Sequence, residues 1–139
     1  MRTYAGVVVV GADGRVALQI RDDVPWIANP GMITTFGGLA EGDETPRAAA
    51  VRELGEELGI VPDAADLIEL ARQDKRETDG DLTHCVLYQL SVSTVAGLRT
   101  HEGAGVLVGP HREVLLDTRL TPTCRVAVEA FAERLERGR

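Results

Sequence analysis

Residues 45–59 leave the chain little freedom in how they fold. Thr45 offers a hydroxyl at an N-cap position, and Pro46 suits the first helical turn, where its missing N–H costs nothing. Ala48 to Leu58 are mostly helix formers, and Gly59 closes the run as a C-cap glycine. At about 100° per residue, Ala50, Val51, Leu54 and Leu58 fall on one arc, which is the face expected to bury. Glu53, Glu56 and Glu57 occupy a neighbouring arc at i, i+3 and i+4 spacing. Like charges there weaken a helix by roughly 0.2–0.5 kcal/mol per close pair. They also sit in the C-terminal half, where the helix dipole disfavours anions. Gly55 in the interior costs about 1 kcal/mol relative to alanine. A helix that breaks several local rules within one turn is expected to carry a function.

Around this helix the pattern alternates between strands and turns. Tyr4 to Val10 is an apolar, β-branched run, Gly11-Ala12-Asp13-Gly14 a turn, and Arg15 to Arg21 a second strand, together a hairpin. Asp22 to Thr34 contains Pro25 and Pro30 and reads as a loop. Thr35-Phe36-Gly37-Gly38 is a short extended piece. Leu67 to Lys75 and Leu82 to Val92 read as strands around the polar turn Glu77 to Asp81, and Val106 to Val108 as one more. Thr121-Pro122 repeats the cap-plus-proline start. Cys124, Val128, Phe131 and Leu135 then recur at helical spacing, so an amphipathic helix ends the sequence. Strands mixed with two principal helices imply a layered α/β domain, and strand order is not readable from the pattern.

The length of 139 residues fits one domain spanning 1–139, enough to bury a substantial core. No apolar run reaches 18 residues, so no transmembrane helix is expected. The Val run near the start is too short for a signal peptide and lacks a cleavage site. Cys85 and Cys124 belong to no metal-binding spacing and read as reduced core residues of a cytoplasmic protein. The formal charge of −7 removes the basic footprint expected for binding long nucleic acid. An acidic chain that acts on an anionic substrate needs a local charge reversal, which a divalent cation at the densest acidic cluster supplies.

Mg²⁺ takes hard oxygen ligands, usually a few carboxylates completed by water and substrate phosphates, so three glutamates on one stripe suit it. By itself an acidic helix face reads as solvated surface. The wider spacing decides otherwise. From Gly38 the segment runs five residues to Glu44, then seven to Arg52-Glu53-Leu54, then one to Glu56-Glu57, then one to Gly59-Ile60. Nine specified positions over 23 residues match the Nudix box, and the chain resembles a Nudix (MutT-like) hydrolase from end to end. The resemblance implies an α/β/α sandwich with a mixed β-sheet. It also implies hydrolysis of a diphosphate linkage in a nucleoside triphosphate or nucleoside diphosphate derivative, with Mg²⁺ or Mn²⁺ as cofactor and a small nucleotide as partner.

By matching positions, Glu53, Glu56 and Glu57 should be the metal ligands. Arg52 should orient them through contacts to Glu56 or Glu44, and Glu44 should support the loop. Gly37 and Gly38 should let backbone approach metal and phosphate. Glu102, in Glu102-Gly103, stands where many members carry an extra catalytic or metal-binding glutamate, and is equally readable as a loop residue. Arg21 resembles a phosphate-reaching position or is a solvated strand end. Trp26 is a candidate to stack on a base, though covering the core edge is the favoured reading. His101, beside Glu102, is the one histidine to watch. Lys75-Arg76-Glu77-Thr78 occupies the place of the ADP-ribose and dinucleoside-polyphosphate markers and matches neither; no NADH or coenzyme A marker is evident. A nucleotide sensor without turnover ranks low, since the box is intact and there is no room for a second domain. An isoprenoid-diphosphate isomerase lacks its cysteine-and-glutamate arrangement. Family members are often dimers, and no sequence feature decides for or against a homodimer.

Overall fold

The computed structural model describes residues 1–138. β1 (Arg2–Val10) and β2 (Val16–Ile20) form the expected hairpin, with Val10 opposite Val16. The loop that follows ends in a two-residue strand, β3 (Ile33–Thr34), where sequence alone suggests only loop. β4 (Phe36–Leu39) follows at once. Helix α1 (Pro46–Leu58) starts and stops as its caps dictate. The Thr45 hydroxyl accepts from the Ala48 N–H, and Gly59 at φ 69° sends its N–H back to the Gly55 carbonyl. A 3-10 turn (Ala64–Asp66) precedes β5 (Ile68–Arg76), which pairs antiparallel with β6 (Leu82–Ser91). β7 (Gly105–Gly109) leads through a one-turn helix, α2 (His111–Val114), to the long helix α3 (Pro122–Arg137). Neither α2 nor the 3-10 turn is legible beforehand, because a single turn is too short to display a period.

Seven strands among the described residues form one mixed sheet, in the order β3-β2-β1-β6-β5 with β4 also on β1 and β7 also on β2. β1 is the organising strand. Its whole length runs parallel to β6, while its other edge is shared. Tyr4 to Val7 pair with β4, and Val9 and Val10 pair with β2. The sheet therefore splits on that side, between β4 and the β2–β3 pair.

Alternation along β1 builds two cores. Ala5, Val7 and Val9 face α1 and meet its Ala49, Ala50, Leu54 and Leu58. Val8 and Val10 face α3 and meet its Cys124, Ala127, Val128 and Phe131. Each fully buried Leu or Val contributes about 1.5–3 kcal/mol. The result is the expected α/β/α sandwich. Two details of α1 differ from the helical wheel. Val51 is only partly buried, and Ala49 takes the place in the core that the wheel gave it. Both cysteines are buried and free, as expected. Among the described residues no helix is long and apolar enough to cross a membrane.

Candidate functional site

The three glutamates of α1 share a stripe but not an environment. Glu57 is 2% exposed and lies in the core, whereas the side chains of Glu53 and Glu56 are 14% and 50% exposed. The stripe rolls under β4, so its last member is buried. Glu57 Oε1 accepts the Gly37 N–H at 2.8 Å, which fastens helix to strand. Burial pushes the Glu57 carboxyl up to about 8, against the Gly37 bond, and the charges of Glu53 and Glu102 add to the rise. Burial also raises Glu53, opposed by Arg52 and reinforced by Glu56 and Glu102.

Arg52 is the hub, as the sequence implied. Its Nε and Nη2 donate to both Glu44 oxygens at 2.8 and 2.9 Å, in the bidentate geometry that suits guanidinium and carboxylate. Nη1 donates to Glu53 at 2.9 Å and Glu56 at 3.4 Å, and Nη2 also reaches the Leu39 carbonyl. Glu44 in turn accepts the Glu41 N–H, so it holds the loop rather than facing the stripe. The Arg52 bonds keep the Glu44 carboxyl down at about 2.

Gly37 and Gly38 have steric reasons of their own. Gly37 has φ 138°, and a Cβ there would lie 1.9 Å from the Ala5 carbonyl oxygen. A Cβ on Gly38 would lie 2.3 Å from Glu53 Oε1. What these positions admit is the neighbouring strand and the glutamate carboxylate. A Cβ on Gly55, by contrast, would make only ordinary van der Waals contact, with Val61 Cγ2 at 3.6 Å.

Both glycines also line a cleft of about 610 Å³, which opens where the sheet splits. Its lining also includes Tyr4, Gln19, Arg21, Ala28, Asn29 and Cys85, together with Lys75, Glu77, Thr121 and Thr123. The Tyr4 hydroxyl is tied to Thr35 Oγ1 at 2.8 Å. Arg21 lines the cleft as well as folding the loop, donating from Nε to the Ala28 carbonyl at 2.7 Å. Trp26 corrects the sequence reading. It is 80% exposed and covers no core edge, and it is not among the residues lining the cleft. Glu102 is exposed in the connection before β7, yet close enough for its charge to raise both Glu53 and Glu57. His101 contributes its backbone, donating its N–H to the Glu57 carbonyl at 2.7 Å. Gln19 is the polar residue the sequence reading missed. The signal was present as a single amide in the otherwise apolar strand Val16-Ala17-Leu18-Gln19-Ile20.

The donor set suits a hard divalent cation. The charge of Glu102 raises the pKa of both Glu53 and Glu57, Glu53 raises Glu57 as well, and Arg52 is the counter-cation bonded to the stripe. Among the described residues no three acidic, His or Cys side chains already converge on one point. The reason is visible in the bonds of Arg52, which draw Glu53 and Glu56 to its own guanidinium. Mg²⁺ needs no complete protein cage, since it keeps waters and takes oxygen ligands from phosphates.

Comparison with known proteins agrees with this geometry. The family profile described as NUDIX domain matches residues 1–123. A 78-residue stretch, 55% of this chain, is 35% identical to the uncharacterized Nudix hydrolase orf19 of Rhodococcus erythropolis. A 73-residue stretch, 52% of this chain, is 37% identical to an RNA pyrophosphohydrolase of Sphingopyxis alaskensis. These matches span 42% and 44% of the relatives' own lengths, so the chain matches less than half of each. Among solved structures, the ORF135 protein of E. coli superposes with a TM-score of 0.77 at 27% identity, covering 100% of this chain and 93% of that one. The NUDIX domain of Shewanella oneidensis NrtR, solved with ADP ribose, shares the fold with a TM-score of 0.70 at 22% identity, covering 96% and 87%.

Proposed function

The chain belongs to the Nudix family, and from that premise we propose that it is a Mg²⁺-dependent pyrophosphohydrolase. Its substrate is a nucleoside triphosphate or a nucleoside diphosphate derivative. One observation carries this reading: the glutamate stripe and the cleft share the same two glycines. Gly37 bonds Glu57 and Gly38 abuts Glu53, while both line the 610 Å³ cleft. A nucleotide whose base end lies in the cleft brings its diphosphate to the acidic stripe. On the lining, Arg21 supplies positive charge where an anion must enter, whereas Arg2 and Lys75 are paired with Asp79, Asp81 and Glu77. The relatives support a phosphorylated nucleotide in general, since one is named for RNA pyrophosphate hydrolysis and another is solved with ADP ribose.

Glu53, Glu56 and Glu57 would hold the metal. When bound, Mg²⁺ neutralises phosphate charge and makes the phosphorus centre more open to attack. The chain's own residues do the rest. Arg52 restricts the rotamers of Glu53 and Glu56, so that their oxygens face the substrate in few arrangements. The Gly37 N–H fixes Glu57. Glu102, exposed in the connection before β7, accepts the proton of the attacking water as the new P–O bond forms and the bridging P–O bond breaks. The two products carry the two phosphates. Gly37 and Gly38 present backbone without side chains, leaving the path between cleft and stripe open.

The test is release of phosphate and nucleotide from a panel of nucleoside triphosphates, oxidised dNTPs, ADP-ribose, nucleotide sugars and dinucleoside polyphosphates, with Mg²⁺ or with EDTA. EDTA-sensitive cleavage that Glu53→Gln lowers by about 100-fold or more supports the reading. Binding without cleavage of any panel member refutes it and makes the protein a sensor.

A further inference from the structure

Gln19 is 5% exposed and has no part in the family resemblance. Alternation along β2 turns it, with Ala17, toward α1. A buried amide in a strand of Val, Ala, Leu and Ile costs free energy unless it is bonded. Its Nε2 donates to the Glu102 carbonyl at 3.3 Å.

The segment it reaches is held closely on both sides. The His101 N–H donates to the Glu57 carbonyl on α1, and the Ala104 N–H donates to the Ile20 carbonyl on β2. Thr100 Oγ1 donates to the Glu102 carbonyl as well and accepts the Glu102 N–H. Gly103 has φ 82°, and a Cβ there would lie 2.7 Å from the Ile20 carbonyl and 3.3 Å from Gln19 Nε2. The backbone thus passes against Gln19 with no room for a side chain between them. α1 and β2 fix the ends of residues 101–104, and Gln19 holds the middle, where the Glu102 carboxylate projects.

We propose that Gln19 is a positioning residue, its side-chain amide bonding the Glu102 backbone and so setting how Glu102 faces the α1 glutamates. Nothing reacts at Gln19 itself. It acts through Glu102, and the inference rests on the hydrolase reading above for its kinetic consequence, though not for its structural one. A leucine of similar size keeps the packing and removes that bond. Thr100 still serves the Glu102 carbonyl, so no buried carbonyl is orphaned.

The experiment compares wild type, Gln19→Leu, Glu102→Gln and the double variant. Turnover is measured on whichever panel nucleotide the wild type cleaves fastest, and amide hydrogen exchange of residues 100–104 is measured without nucleotide. The expected result is a fall in kcat of about 10- to 100-fold for Gln19→Leu with KM little changed. Glu102→Gln on top should add almost nothing, because both changes disable the same group. Exchange at 102–104 should quicken by about 10-fold or more while α3 stays as protected as in wild type. Gln19→Glu, equal in shape but lacking the donors, should behave as the leucine does, and it replaces the leucine variant if that one fails to fold. Additive effects on kcat, or unchanged exchange at 102–104, overturn the proposal. If the wild type cleaves nothing on the panel, the hydrolase reading falls, and hydrogen exchange alone then decides whether Gln19 holds Glu102.

Discussion

Glu57→Gln should make the metal-free protein more stable while removing one of the proposed metal ligands. The carboxyl is buried, and its pKa rises to about 8 from an ordinary 4.5. A carboxylate raised in this way contributes stability that is fully present below the unfolded pKa and is lost as pH rises through the folded one. Loss therefore begins near pH 4.5 and is complete above about pH 8. At about 1.4 kcal/mol per unit, the ionisation missed by the native state at pH 7 amounts to about 3 kcal/mol, approaching ~5 kcal/mol at higher pH. Glutamine keeps an oxygen to accept the Gly37 N–H and carries no charge, so it escapes this loss. Urea unfolding in EDTA at pH 4, 7 and 8.5 tests the prediction. The variant should match wild type at pH 4, exceed it by about 3 kcal/mol at pH 7, and exceed it further at pH 8.5. Groups such as Glu44, whose carboxyl stays low beside Arg52, affect both proteins alike and cancel in the difference. Mg²⁺ should narrow the gap by stabilising the wild type alone, since a ligand that binds only the native state adds to its stability. A gap that does not depend on pH, or a variant less stable than wild type at pH 8.5, refutes the reasoning.

The glycines supply the remaining predictions. Gly37→Ala places a Cβ 1.9 Å from the Ala5 carbonyl at φ 138°, so it should destabilise the fold by about 3 kcal/mol or more in denaturant unfolding. Gly38→Ala meets the movable Glu53 carboxylate instead, so the protein should stay folded and lose Mn²⁺ affinity, measured by titration calorimetry. Gly55→Ala meets only ordinary contacts, with Val61 and Ile60, and should gain about 0.5–1 kcal/mol. A loss there would mean that Val61 cannot accommodate the added methyl.

Local chemistry made much of this protein readable. The caps of α1 and α3, the β1–β2 hairpin and the β5–β6 pair each depend on residues a few positions apart, and the sequence placed them within a residue or two. The spacing from Gly38 to Ile60 likewise determined the family and the cluster of glutamates with Arg52 at its centre. Helical periodicity, however, assigns only a face. That Glu57 is buried while Glu56 is half-exposed depends on β4 crossing over α1, and so on β1 sharing one edge between β4 and β2. The same split creates the cleft and gives Gly37 and Gly38 their steric necessity, and the pairing of β2 with β7 brings Gln19 to Glu102 across 83 positions of sequence. Contacts at such separation leave no period in the chain. They arise only when the strands have paired, because backbone hydrogen bonding across the sheet, rather than any neighbouring residue, sets which side chains share a space.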